Sequence, residues 1–480
     1  MSAQEHGNFI DGEWVAGERE FASVNPSDTS DTLGVFTAAS IDHCGTAIAA
    51  ARQAFGEWSH SALERRKNVL DFIGDELIQR REEIGRLVSR EEGKPLAEGI
   101  GEVGRAGQFF QYYGAEVLRQ MGELASSVRP GVDVEVSREP LGVIGIITPW
   151  NFPIAVAAWK IAPALAFGNC VVLKPAELVP ASAAALADII SRSGLPAGAF
   201  NLLQGAGSVV GEAIVTNSDV DAISFTGSVA TGRHIARAAV DNMARVQLEM
   251  GSKNALVVLN DGDIDVAVQC AINGAFFGTG QKCTASSRLI VESGIHDQFV
   301  ERMIAATNEL VVGHALEEGT QIGPVVDQRQ LTQNLNYLDI AKEEGANVVT
   351  GGEQLSLATE GFFMQPALCV DTNNAMRINR EEIFGPVTNV IKVDSYDEAL
   401  ATSNDTDFGL TAGIVTTSLK HATHFKRHSE SGCVMVNLPT AGTDYHVPFG
   451  GRKASSYGPR EQGQYAKEFY TIVKTVYLSS

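Results

Sequence analysis

Apolar residues change their spacing along the chain at about residue 140. Before that point, over residues 61–90, Leu70, Ile73, Leu77, Ile84 and Val88 recur three, four or seven positions apart. That recurrence puts side chains on one face of an α-helix, and Gly93 with Pro95 stops it. One core-facing amphipathic helix is predicted there. Beyond residue 140 the apolar runs are short and unbroken, at 143–147, 171–173, 200–203, 222–225 and 255–259, with helical segments between them. Strands apolar at every position are covered on both faces, which predicts a parallel sheet in a doubly wound α/β domain. A second α/β region is predicted from about 255 to 440, with a helix at 295–312 and strands near 289–291 and 434–436. Two segments fit neither pattern, 121–137 and the tail at 458–480. Alternating apolar residues at 469–477 read as an exposed strand in want of a partner, so subunit pairing is expected, as a homodimer or homotetramer.

Four of the predicted strands run directly into polar or glycine-rich turns: ThrProTrpAsn at 148–151, LysProAlaGlu at 174–177, GlyAlaGly at 205–207 and ThrGlySer at 226–228. Open α/β sheets bind ligands just past the carboxyl ends of their strands, so the four turns point to one crevice. At 480 residues the chain is long enough for two or more domains. Thirty-seven basic against 58 acidic residues leave a net charge of −21, a poor match to phosphate backbones or anionic membranes. No run of about 18 apolar residues would cross a bilayer. The opening MSAQEHGNFIDGEW shows no targeting pattern, and a cytoplasmic location is expected. Six cysteines lack close pair spacing, and none of the ten histidines stands in a His-x-x-x-His spacing with a carboxylate, so no metal is expected.

The segment at 277–288, PheGlyThrGlyGlnLysCysThrAlaSerSerArg, carries the most chemistry. Gly278 and Gly280 allow close backbone approach to a ligand, and Lys282 beside Cys283 favours a thiolate nucleophile if its charge faces the sulfur. Taken alone, the residue reads better as a buried structural cysteine. Upstream, Glu249 stands inside an apolar run before a glycine turn. A carboxylate there either caps or pairs locally, or has a raised pKa and accepts a proton from water.

With this pair the sequence resembles the aldehyde dehydrogenase superfamily, from PheIleAspGlyGluTrp at 9–14 to ProPheGlyGlyArgLys at 448–453. The motifs follow in order: ThrProTrpAsnPhePro at 148–153, LysProAlaGlu at 174–177, PheThrGlySer at 225–228, GluMetGlySerLys at 249–253, GlyGlnLysCys at 280–283 and GluGluIlePheGlyPro at 381–386. The resemblance implies a variant Rossmann cofactor domain over 1–120 and 138–248, an α/β catalytic domain over 249–440, and a small β oligomerisation element from 121–137 and 458–480. It implies that Cys283 attacks an aldehyde, that the Asn151 amide and the Cys283 backbone N–H receive the oxyanion, and that Glu249 activates the water that hydrolyses the thioester. Lys160 matches a family lysine, with a supporting position behind the site as the alternative. For the cofactor it implies Glu382 on the nicotinamide ribose, Phe384 beside the nicotinamide, Lys174 and Glu177 on the adenosine ribose, and Gly227 and Ser228 near the pyrophosphate at a helix start. Ile147, Trp150 and Gly207 complete the implied cofactor set.

NAD is favoured because a carboxylate at Glu177 repels a 2′-phosphate, while Lys174 leaves NADP open. The pattern is most like bacterial α-ketoglutaric semialdehyde dehydrogenases. It departs from one group of them, which carries an arginine near Trp159, and Arg105 and Arg452 are the candidate partners for a substrate carboxylate. The predicted pocket elements are 109–113, Trp159 and 438–446. Betaine, succinic semialdehyde and aromatic aldehydes stay open as substrates. Two rivals remain: coenzyme A in place of water, which the presence of Glu249 disfavours, and a silent scaffold on the same fold.

Overall fold

In the computed structural model the described residues are 7–119 and 121–479. The first six residues, part of the segment behind the cytoplasmic expectation, lie outside them. Four of the five unbroken apolar runs form parallel strands of one sheet, in the order Phe200–Leu202, Cys170–Lys174, Val143–Ile147 and Ala222–Thr226, while the fifth run, at 255–259, lies in the other sheet. Arg245–Glu249, a strand of mixed polarity that the apolar pattern did not predict, runs parallel beside Ala222–Thr226. Of these five parallel strands the chain makes the middle one, Val143–Ile147, first, builds outward to one side, and then returns to build the other. The switch point lies between Val143–Ile147 and Ala222–Thr226, where an open α/β sheet leaves a crevice. Antiparallel additions close both ends: Asn8–Ile10 with Glu13–Val15 at one, and Ser456–Tyr457 beside Arg245–Glu249 at the other. Every residue of Val143–Ile147 and Cys170–Lys174 is buried, as strands covered on both faces must be.

A second sheet of seven strands holds the later half of the chain. At its centre Ser286–Glu292 runs parallel to Asn254–Val258, which in turn pairs with Thr411–Val415 and brings the 277–285 turn to the carboxyl side of the first sheet. A hairpin of Arg19–Asn25 with Asp28–Ala38 lies apart from both. No helix among the described residues is long and apolar enough to cross a membrane.

Two expectations need correction. The helix predicted over 61–90 is two helices, Leu63–Gln79 and Arg81–Glu92, broken at Arg80 with φ −97° and ψ 14°. Both pack on Leu96–Glu116 through glycine contacts: a Cβ at Gly74 would lie 2.9 Å from the Gly107 carbonyl, and one at Gly85 2.6 Å from Ile100. One straight helix could not follow that partner at both places. The strand predicted over 469–477 is Thr471–Ser479, since Phe469 and Tyr470 are buried in the short helix Lys467–Tyr470. Its partner is in its own chain: nine residue pairs join it to Val132–Pro140, which crosses the boundary drawn at 137 and pairs on its other side with Glu123–Ser126.

Candidate active site

A cavity of about 590 Å³ opens at the switch point of the first sheet. Its walls bring together Cys283, Glu249, Asn151, Trp150, Lys174, Glu177, Gly227, Ser228, Glu382 and Phe384. Ile147, Lys160 and Gly207 do not line it. Ile147 ends its strand packed in the core, and Gly207 stands beside the Lys174 ammonium, 4.0 Å from where a Cβ would be.

The nucleophile candidate sits on a turn that the backbone can make only with unusual conformations. Gly278, Thr279 and Gly280 have φ of 64°, 55° and 66°. A Cβ at Gly280 would be 2.2 Å from the Gly385 carbonyl, so no larger residue fits. Ser252 Oγ and Asn254 Nδ2 donate to the Cys283 carbonyl at 2.5 and 2.8 Å, and Asn151 Nδ2 donates to the Gln281 carbonyl at 2.8 Å. An amide nitrogen carries two hydrogens, so one N–H of Asn151 remains for a ligand.

Lys282 does not activate the sulfur. Its ammonium donates to the Asn273 carbonyl at 3.0 Å, and burial lowers its pKa to about 8. Burial first, then the charges of Glu249 and Glu382, push the Cys283 thiol up to about 12. The resting group is a thiol and needs a proton acceptor.

Glu249 ends the strand Arg245–Glu249 with its carboxyl buried. Burial, followed by the charge of Glu461, raises its pKa well above the usual carboxylate range. Against this act Ser456 Oγ, donating to Oε2 at 2.5 Å, and the charge of Lys160. Gln247 Nε2 donates to Oε1 at 3.1 Å. Lys160 itself is fully buried behind the cavity, donating to Ser224 Oγ at 2.8 Å and Gln247 Oε1 at 3.3 Å and paired with Glu461. That is the supporting position.

The far end of the cavity suits a nucleotide. Ser228 caps the helix Val229–Asp241, its Oγ accepting from Thr231 N–H at 3.3 Å. The Gly227 N–H is already given to the Glu249 carbonyl at 3.0 Å, so an anion there would be met by the first free N–H groups of the helix instead. Gly227 supplies room: a Cβ would stand 2.5 Å from the Phe225 ring. Thr226 Oγ1, on the cavity wall, is buried with no hydrogen-bond partner among the described residues. Lys174 is buried, which lowers its pKa to about 8, and Glu177 faces Arg19 at 3.9 Å. Trp150 and Phe384 meet edge to face at 5.5 Å, and Glu382 accepts from the Ser252 N–H at 2.8 Å.

The profile of the aldehyde dehydrogenase family matches residues 14–476. The chain belongs to that family. This dehydrogenase is 41% identical to the α-ketoglutaric semialdehyde dehydrogenase of Bacillus subtilis, over 98% of its own length and 97% of that protein's. It is 38% identical to the 2,5-dioxopentanoate dehydrogenase of Saccharolobus solfataricus, over 97% of each. Its structure superposes on betaine aldehyde dehydrogenase from Staphylococcus aureus in complex with NAD+ with a TM-score of 0.96 at 33% identity, covering 99% of this chain and 95% of that one. The dehydrogenase is therefore an oxidoreductase, and the silent-scaffold rival is set aside.

Several residues of the site left no signal in the sequence. Ser456 and Glu461 tune Glu249 from positions only the fold brings close, Gln247 does so from two residues before it on the same strand, and Lys94 reaches the Asn151 carbonyl at 2.6 Å from the corner between two helices. Of the two candidate carboxylate partners, Arg105 lies over the Tyr445 ring at 5.5 Å, while Arg452 is exposed at the surface.

Proposed function

We propose that the dehydrogenase oxidises α-ketoglutaric semialdehyde to the dicarboxylate with NAD, through a thioester on Cys283. The observation that carries this reading is the meeting of a thiol, an amide donor and a buried carboxyl on one cavity wall. The same cavity is lined by a capped helix start, the Thr226 hydroxyl, and Lys174 with Glu177, groups suited to holding a dinucleotide. In this reading Glu382 and Phe384 hold the nicotinamide end, Lys174 and Glu177 the adenosine ribose, and Ser228 the pyrophosphate. When bound, NAD supplies the hydride acceptor.

Cys283 Sγ bonds to the aldehyde carbon as its proton passes to a base in the cavity, where the raised pKa of Glu249 suits that carboxylate for the task. The oxyanion forms against the free N–H of Asn151. Loss of hydride from the same carbon leaves the thioester. Once that proton has left for solvent, the Glu249 carboxylate takes a proton from water, the water oxygen bonds to the acyl carbon, and the C–S bond breaks as the sulfur receives that proton, returning the thiol and releasing the acid. Lys160, through its charge and through Gln247, keeps Glu249 able to ionise.

The substrate assignment rests on the two relatives named above, whose names describe one compound. Glu177 opposes a 2′-phosphate, which supports NAD over NADP. A second reading, betaine aldehyde, is favoured by the aromatic wall: Trp159 packs on Phe449 at 5.7 Å and on Phe109 at 5.9 Å, a surface suited to a quaternary ammonium. The test is kcat/KM with NAD and NADP for α-ketoglutaric semialdehyde, succinic semialdehyde, betaine aldehyde and benzaldehyde. Preference for the first with NAD is expected. Preference for betaine aldehyde overturns the substrate, and thioester release that requires coenzyme A overturns the hydrolytic role of Glu249. The three-stranded sheet leaves Leu124 87% exposed on one edge strand and Tyr477 60% exposed on the other, so we propose self-association there. A monomer in light scattering at micromolar concentration sinks that part.

A further inference from the structure

We propose that Lys94 and Glu102 are positioning residues for the oxyanion donor, a buried ion pair that fixes where Asn151 holds its amide. The pair lies outside the cavity and touches none of the reacting groups. Lys94 stands at the corner between Arg81–Glu92 and Leu96–Glu116, where Gly93 with φ 99° ends one helix and Pro95 opens the other. Its side chain is 3% exposed. The ammonium donates to Glu102 Oε2 and to the Asn151 carbonyl, each at 2.6 Å, and lies 4.0 Å from the centre of the Phe152 ring. Glu102 Oε1 accepts from the Ile154 and Ala155 N–H groups at 2.9 and 3.1 Å, at the start of the helix Ala155–Ala166. The catalytic turn is held by carboxylate and ammonium together at both its peptide ends.

The same helix reaches the nucleophile's turn. Glu98, one turn before Glu102 on the same face, accepts the Gly278 N–H at 3.0 Å. Asn151 Nδ2 closes the circuit on the Gln281 carbonyl. One turn of Leu96–Glu116 thus carries both halves of the site. Buried ion pairs add little to stability over apolar residues of the same shape, so stability alone gives no reason for this one. A donor, in contrast, must stand about 2.7–3.1 Å from the oxygen that develops charge, and small displacements are costly.

The proposal rests on the reading of Asn151 as that donor, and the test separates the two. In the full-length enzyme, Lys94→Met and Glu102→Gln are compared with Asn151→Ala in three assays. These are aldehyde turnover, cofactor-free hydrolysis of 4-nitrophenyl acetate, which forms an oxyanion on the same sulfur, and alkylation of Cys283 by iodoacetamide, which forms none. Asn151→Ala should slow the first two by about 10²–10³. Lys94→Met and Glu102→Gln should slow both by a common factor of about ten to a hundred and leave alkylation within about twofold. Added to Asn151→Ala, Lys94→Met should cost nothing more. Glu102→Gln is isosteric and gives the same answer if Lys94→Met does not fold. Equal losses in all three assays, or an additive loss in the double variant, overturn the proposal. Full ester hydrolysis by Asn151→Ala overturns the donor reading instead.

Discussion

Cys283 should be slow to alkylate in the cofactor-free enzyme, and the slowness has a size. Burial, Glu249 and Glu382 hold its pKa at about 12, against about 8.5 for a free cysteine. At about pH 7.5 a free cysteine is about 10% thiolate and Cys283 about 0.003%, a deficit of about 3,000-fold. The more basic thiolate is the better nucleophile, and a Brønsted slope of about 0.45 returns about 40-fold. Iodoacetamide should therefore react about a hundredfold more slowly than with a free thiol, and the rate should climb about tenfold per pH unit without levelling before about pH 10. Mass spectrometry of the labelled peptide against time gives the rate at each pH. Glu249→Gln removes the second cause, so the rate should rise where Glu249 is ionised. A plateau near neutral pH, or a rate equal to that of a free thiol, would refute the reasoning and mean that a cation faces the sulfur after all.

Glu249→Gln should also give a burst of reduced cofactor followed by slow turnover, because hydride transfer survives and thioester hydrolysis does not; stopped-flow absorbance showing uniformly slow hydride transfer would count against its role. Ser456→Ala removes a hydrogen bond that favours the charged form of Glu249, so that pKa rises further and the deacylation limb of kcat against pH moves upward by about one unit; an unmoved limb denies the link. Gly280→Ala must place a Cβ 2.2 Å from the Gly385 carbonyl at φ 66°, and a loss of at least about 1–3 kcal/mol should appear in thermal unfolding along with lost activity. A normal Tm with full turnover contradicts that geometry. Glu177→Gln should raise kcat/KM for NADP relative to NAD by about tenfold and free Arg19 from its carboxylate partner. An unchanged ratio places the 2′-hydroxyl elsewhere.

Most of the parallel strands were legible because burial on both faces writes itself as an unbroken apolar run, and the runs at 143–147 and 222–225 need only Thr226 added to match the structure; Arg245–Glu249, only partly buried and of mixed polarity, left no such run. Three of the four polar turns that follow them reach the cavity wall for the same reason, that a sheet delivers its loops to one edge, while the turn at 205–207 stays off it. What the sequence did not disclose depends on pairings across great lengths of chain. Ser456 meets Glu249 across 207 residues and Lys160 meets Glu461 across 301, and neither contact leaves a periodic trace. Lys282 shows the opposite failure. Adjacency in sequence suggested a charge for the sulfur, but neighbouring side chains on a turn diverge, and this one leaves for the Asn273 carbonyl. The break at Arg80 was hidden because the apolar spacing continues across it.

Ser456 joins the site late in the chain through an edge strand two residues long, Ser456–Tyr457, and Glu461 comes from the segment just past it. Until that strand docks, Glu249 lacks its hydroxyl partner and Lys160 its carboxylate, while the 277–285 turn is already encoded far upstream. A chain folded only that far holds the Cys283 thiol without the finished base, so the proton acceptor is the last part of the site to be completed. The carboxyl-terminal segment, remote from the nucleophile in sequence, thereby decides when the site becomes competent.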